Sequence, residues 1–182
     1  MIVIAALGRN HVIGSGSRMP WNVPEEYGQF RRFIAGQTVI IGRRSWEIFG
    51  PDLTSAHTIV VSRGAREIAG AIVAQSVERA VETARGLGRT VFSAGGAQIY
   101  RQTLPLADTM YLSYIEGEFS GDAYFPEFDA GAWHVARRRQ HAAFEFVIYQ
   151  RRQSRLVERR RVQSAGSKGP ERRRFSRLRC RF

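Results

Sequence analysis

The sequence predicts an α/β domain built on a largely parallel sheet with helices on both faces and an antiparallel hairpin closing its C-terminal end. Three observations predict it. Short apolar runs alternate with helical segments, the order of βαβ units. Several of these runs are apolar at consecutive rather than alternate positions, as strands buried on both faces are. The last two have no helix between them and are expected to pair antiparallel. At 182 residues and 43% hydrophobic content, the chain carries the core of about one domain.

The elements follow in order. Residues 2–7 are six consecutive apolar positions and read as a buried strand. Residues 8–23 read as a long loop. The helix at 24–35 is justified at both ends: Pro24 suits the first turn, Glu25 and Glu26 sit where the helix dipole favours negative charge, and Gly36 stops it. Inside it Tyr27, Phe30, Phe33 and Ile34 recur at three- and four-residue spacing, and Glu26 shares a side with Phe30. A strand at 38–41 runs into a short helix opening near 42–46. Strands at 58–62 and 71–74 precede an amphipathic helix at 76–86. A strand at 90–93 turns through Ala94-Gly95-Gly96 into a helix at 97–103. Strands at 109–115, near 133–137 and at 144–150 complete the chain.

Charge and cysteine content bound the function. The net charge is +12, but +11 of it falls within residues 151–182, leaving +1 for the rest. The basic segment is Arg-, Ser- and Gly-rich and is expected to be a disordered extension. It could touch nucleic acid or anionic lipid by counterion release, or have no dedicated partner. Cys180 is the one cysteine, which excludes an internal disulfide and gives no metal-site spacing, so no metal is expected. The chain opens without a basic leader and has no 18-residue apolar stretch, so a cytoplasmic protein off the membrane is expected.

The segment from Met19 to Glu26 is the strongest local signal. It places Trp21, between Pro20 and Pro24, directly ahead of two acids at a helix start. Such an arrangement can bury a carboxylate, or it can be an ordinary helix start with solvated acids. Two glycine features, Gly42-Arg43-Arg44-Ser45 and Ala94-Gly95-Gly96-Ala97, follow strand ends and open helices, where free backbone N–H groups bind anions. Neither matches G-x-G-x-x-G, and singly each reads as well as a tight turn. Arg43, Arg44 and Arg63 lie just beyond strand ends and could converge on a phosphate, or be solvated surface arginines.

Taken together, the segments Ile4-Ala5-Ala6, Val12-Ile13-Gly14, Met19-Pro20-Trp21-Asn22, Phe30, Gly42-Arg43, Trp46-Glu47, Val61-Ser62-Arg63, Ala94-Gly95-Gly96 with Ile99-Tyr100, Tyr111-Leu112-Ser113, and Gly121-Asp122 with Phe125-Pro126 resemble the dihydrofolate reductase family in order and spacing across residues 1–152. The resemblance implies an eight-stranded sheet with about four helices, NADPH as hydride donor and a 7,8-dihydropterin as acceptor. It implies that Glu26 is the active-site acid, gripping the pterin in a two-point geometry. Ser113, in place of the family's threonine, bridges that acid to the ring, and Trp21 holds an ordered water. Ile4, Ala5, Tyr27, Phe30, Phe49, Leu53 and Ala94 would contact substrate. Ala6, Ile13 and the segment from Gly14 to Met19 would cover the nicotinamide. Gly42, Arg43, Arg44, Ser45, Ser62, Arg63, Gly95, Gly96, Ala97, Gln98, Ile99 and Tyr100 would hold the rest of the cofactor, with Ser62-Arg63 as a grip on its 2'-phosphate. Asp122 would hold the segment 8–23 closed in a gating role, or be a purely structural aspartate.

The match fails around the tail of the substrate. Tyr27 and Phe49 stand where the family commonly has aliphatics, Ala94 is small where a branched residue usually packs, and one charged group is missing. The family's arginine that clamps the glutamate carboxylate of folate aligns with Ala56. A lost desolvated arginine–carboxylate pair costs about 2–5 kcal/mol. His57 or Arg31 could replace it only in part. The expected substrate is therefore dihydromethanopterin, whose aryl ring bears a polyol that Tyr27, Asp52, Thr54 and Ser55 could meet with hydrogen bonds. The alternative is a dihydrofolate reductase with a reshaped, antifolate-insensitive tail pocket. A dihydropterin reductase domain at 1–152 followed by a basic tail at 153–182, working as a monomer or homodimer, is the organisation this implies.

Overall fold

The computed structural model describes residues 1–152; the basic tail lies outside them. Along the chain run β1 (Ile2–Gly8), β2 (Val12–Gly14), α1 (Pro24–Ile34), β3 (Thr38–Gly42), α2 (Arg43–Phe49), β4 (His57–Val61), β5 (Ile72–Ala74), α3 (Val77–Gly86), β6 (Val91–Ser93), α4 (Ala97–Thr103), β7 (Thr109–Ile115), β8 (Ala123–Tyr124), β9 (Trp133–Gln140) and β10 (Phe144–Arg151). Eight of these strands form one sheet in the order β5-β4-β3-β6-β1-β7-β10-β9. From β5 to β7 neighbours pair in parallel, and β10 runs antiparallel to both β7 and β9. The predicted α/β class, the eight-stranded sheet and the closing hairpin are all present.

Strand β1 lies between β6 and β7, which is why its apolar run is continuous: Val3, Ile4, Ala5 and Leu7 are all buried. On one face, Val3, Ala5 and Leu7 pack with Tyr100 and Leu104, while Ile40 and Ile59 meet Val77, Ala80, Val81 and Ala84 of α3. On the other, Ile4, Val39, Ile41, Val60 and Phe92 receive Ile34 of α1. Two aromatic residues at the predicted spacing, Tyr27 and Phe30, stack at 6.0 Å on the same helix. Phe33 sits between Tyr111 and Phe146. Gly36 follows the helix with a φ of 67°, a conformation that glycine adopts without penalty.

The structure departs from the sequence reading in residues 8–23. They are not one loop, because β2 forms within them and pairs antiparallel with β8 as a separate two-stranded ribbon. Strands of three and two residues with an irregular register carry no periodic pattern to read. Strand β9 also runs past Arg137 to Gln140. Apart from Trp133 its residues are all exposed, so no apolar alternation marks its end. The arginines at 137–139 instead place charge on the free edge of the sheet, which discourages edge-to-edge pairing.

Candidate active site

Strand β1, the segment after it, α1, β3, α2, the β6–α4 turn and α4 enclose one cavity. It is lined by Ile4, Ala5, Ala6, Ile13, Met19, Glu26, Tyr27, Phe30, Ile41, Ser45, Phe49, Ala94, Gly96 and Tyr100. Thirteen of these fourteen were named from the sequence. Ile41 was not, since a buried strand residue before a turn reads as core. A wider hollow between Asn10, His11, Arg101 and residues 124–127 lies elsewhere on the surface and contains no buried acid.

Glu26 is the charged centre of the cavity. Only 8% exposed, it is held at the first turn of α1 against an apolar wall. Burial pushes its carboxyl above the ordinary carboxylate range, and a hydrogen bond with the Ser113 hydroxyl pulls it partly back. Ser113 stands opposite Ala6 of β1 and Phe146 of β10, so its hydroxyl is placed by the middle of the sheet. The Tyr100 hydroxyl donates to the Ile4 carbonyl at 2.7 Å. Burial pushes that phenol up, and the Glu26 charge adds to the effect.

Beside the acid lies a glycine edge. The Gly42 amide donates to the Gly95 carbonyl at 2.7 Å, which ties the turns after β3 and β6 together. A Cβ at Gly95 would meet the Tyr100 ring at 2.8 Å, and Gly95 also has a φ of 93°, so only glycine fits. Helices α2 and α4 open there without side-chain caps, leaving first-turn N–H groups available to an anion. The Ser62 hydroxyl accepts from the Ala65 amide at 3.1 Å within the turn after β4, and Arg63 beside it is exposed.

The segment that covers the cavity is tied down on its far side. Asp122 accepts from the Gly16 amide at 3.0 Å, and its own amide donates to the Gly14 carbonyl at 3.1 Å. Arg44 donates to the Gly16 carbonyl at 3.0 Å and reaches within 3.9 Å of the Asp122 carboxylate. Arg43 pairs with Glu47 one turn on, at 3.7 Å.

Several expected residues stand outside the lining. Trp21 packs edge-to-face on Phe119 at 4.9 Å and rests on the cluster around Phe144. Leu53 packs against the core cluster beneath α1, and Ile99 is buried in the core. At the outer end, Tyr27 donates to Asp52 at 3.2 Å. Burial, aided by Asp52, pushes the Tyr27 phenol up to about 12, against the opposing charge of Arg31. Two hydroxyls expected to meet a substrate tail are engaged in the fold: Thr54 donates to the Arg31 carbonyl at 2.6 Å, and Ser55 lies 2.8 Å from the Thr58 hydroxyl. Ala56 is exposed, its amide held by the Gln37 carbonyl, and offers no charge.

Comparison with known proteins bears on this arrangement. The family model described as dihydrofolate reductase matches residues 1–153. The dihydrofolate reductase HdrB of Haloferax volcanii is 33% identical over 168 residues, covering 87% of this chain and 87% of that protein. The dihydrofolate reductase of Neisseria gonorrhoeae is 37% identical over 155 residues, covering 81% and 95%. The structure of dihydrofolate reductase from Enterococcus faecalis complexed with NADP(H) and RAB-propyl superposes with a TM-score of 0.78 at 25% identity, covering 84% of this chain and 96% of that one.

Proposed function

The chain belongs to the dihydrofolate reductase family and is an NADPH-dependent reductase, and from that premise we propose that it reduces a 7,8-dihydropterin at C6 and N5 to the tetrahydropterin. The observation that carries this reading is Glu26, a buried acid bonded to Ser113 in an apolar cavity beside two joined glycine turns.

The glycine edge suits a dinucleotide. Gly95 and Gly96 leave room for close backbone approach, the uncapped starts of α2 and α4 would offer N–H groups to a phosphate, and Arg43, Arg44, Ser62 and Arg63 would hold the phosphates. When bound, the reduced nicotinamide supplies the hydride. The protein does the rest. Glu26 accepts from the pterin N3–H and 2-amino groups, fixing the ring, while Ser113 holds the carboxylate in place. Ile4, Ala5, Phe30 and Phe49 exclude water around the ring and strengthen that pairing. The ionised carboxylate makes that pairing, and because burial raises the Glu26 carboxyl it takes up a proton at higher pH than an exposed acid would, which supports delivery of the proton to N5 through water.

For the substrate we propose dihydromethanopterin. Ala56 stands at the position that aligns with the family's carboxylate clamp, and an acid, Asp52, lies beside Tyr27 of the cavity wall. Both disfavour an anionic glutamate tail, and the Tyr27–Asp52 pair can hydrogen-bond a polyol. The alternative, dihydrofolate, is favoured by the names of the relatives and by Arg31, which lies close enough to Tyr27 to influence it. Steady-state NADPH oxidation with the two substrates side by side separates them. A higher kcat/KM for dihydromethanopterin is expected, and equal or better use of dihydrofolate overturns the substrate assignment.

The proposed organisation is a catalytic domain at 1–152 and a separate basic segment at 153–182, in a cytoplasmic monomer or homodimer. No helix among the described residues is long and apolar enough to cross a membrane.

A further inference from the structure

Helix α1 carries Glu26 in its first turn but begins without the usual side-chain cap: Val23 occupies the N-cap and makes no capping bond. Something else must fix that turn. Glu26 is held from inside by Ser113. The neighbouring Glu25 points elsewhere, and its carboxylate lies 2.7 Å from Nδ1 of His141, a residue 116 positions away in sequence.

His141 is built into a rigid setting. Its side chain is 7% exposed, and its ring stacks on Phe144 at 4.2 Å with 8° between planes. Its amide donates to the Phe144 carbonyl at 2.9 Å, and its carbonyl accepts from Gln140 at 3.0 Å. The Glu116 amide donates to the Ala143 carbonyl at 3.1 Å, tying the β9–β10 turn to the end of β7. Phe144 pairs with Ile115 in the register that pairs Phe146 with Ser113. Trp21 and Val23, just ahead of α1, pack on this same cluster. Nε2 of His141 is buried without a hydrogen-bond partner among the described residues, so the ring's polar link to the protein runs through Nδ1 to Glu25.

We propose that His141 is a positioning residue for Glu26. Through Glu25 it fastens the uncapped first turn of α1 to the β7–β10 ladder that carries Ser113. The two consecutive acids are thus held by one frame, Glu26 by β7 and Glu25 by the turn before β10. The proposal rests on the reading of Glu26 as the pterin-binding carboxylate.

The test uses the full chain, with NADPH and whichever dihydropterin it turns over best. His141→Phe keeps a ring over Phe144 but loses the donor. His141→Gln restores a donor to Glu25. Glu25→Ala removes the partner from an exposed position and so reports even if a His141 variant fails to fold. The expected result is an about tenfold fall in kcat/KM for the dihydropterin in His141→Phe and in Glu25→Ala, with KM for NADPH within about twofold. The double variant should be no worse than either single, and His141→Gln should recover to within about threefold. Unchanged kcat/KM in Glu25→Ala, or losses that multiply in the double variant, overturns the proposal. Glu26→Ala is assayed alongside. If it keeps full turnover, the reading of Glu26 fails, whereas its inactivity beside an unaffected Glu25→Ala sinks the role of His141 alone.

Discussion

Glu26 is subject to two opposed influences whose signs are known. Desolvation favours its neutral form, and the Ser113 hydrogen bond favours its ionised form. Ser113→Ala removes the second and leaves the first, so the Glu26 carboxyl should rise further. In the proposed reaction the acidic form supports proton delivery, and activity is lost as pH rises through the carboxyl's own value. The alkaline fall of kcat/KM should therefore move to higher pH in Ser113→Ala, while the rate at the plateau falls because the ring is held less firmly. A pH–rate profile of the two proteins checks it, and a shift toward lower pH would contradict the assignment of the bond. At this scale the sequence was informative where a residue's chemistry is unusual for its setting. An acid directly behind Trp21 and Pro24 is such a case. It was silent about Ile41, whose apolar side chain reads the same in core and in cavity. It was also silent about His141, whose partner lies on a distant element.

Elements with long apolar runs or well-marked ends were legible to within a residue or two, among them β1, α1, β3, α4 and β7. The ribbon of β2 and β8 was not, because its pairing depends on a close approach that only the folded chain reveals. Gly121 supplies that approach. A Cβ there would run into the Gly14 carbonyl oxygen and the Val12 side chain, and the adjacent Asp122 amide and carboxylate hold Gly14 and Gly16. Gly121→Ala should push the 121–124 segment off β2 and release the segment that covers the cavity. Overpacking of this kind costs about 1–3 kcal/mol, and each kcal/mol lowers the melting temperature by about 2–4 °C at this size. Since Ile13 and Met19 line the cavity from that segment, KM for NADPH should rise and kcat/KM fall about tenfold. Gly86→Ala, on α3, is the control, as a Cβ there also meets nothing within 4 Å, and it should lower neither the melting temperature nor kcat/KM. A melting curve and one kinetic series on both variants decide the matter, and equal behaviour of the two would refute the role of the contact.

Charge and stability are distributed differently over the whole molecule. Nearly all the excess positive charge lies beyond residue 150, yet the sheet is finished by Arg151. The Arg151 guanidinium donates to the Ala107 carbonyl at 2.7 Å and the Leu104 carbonyl at 2.8 Å, and it lies 4.3 Å over the Trp133 ring. Its amide donates to the Asp108 carbonyl at 2.9 Å, and the Asp108 carboxylate takes the Met1 amino group at 2.7 Å. One arginine thus closes β10 onto the turn before β7, near where the chain begins, by bonds to carbonyls that would otherwise lose a charged partner. Removing residues 153–182 should leave kcat/KM within about twofold and the melting temperature within about 2 °C, while the shortened protein elutes from heparin at lower salt. Arg151→Ala in the full chain should do the reverse. It leaves heparin retention almost intact, since one charge of the tail-end cluster is lost, but it costs about 2–3 kcal/mol, or several degrees of melting temperature. A shortened chain that melts well below the full one would mean that the basic segment supports the fold, and the division of the chain at residue 152 would fall with it.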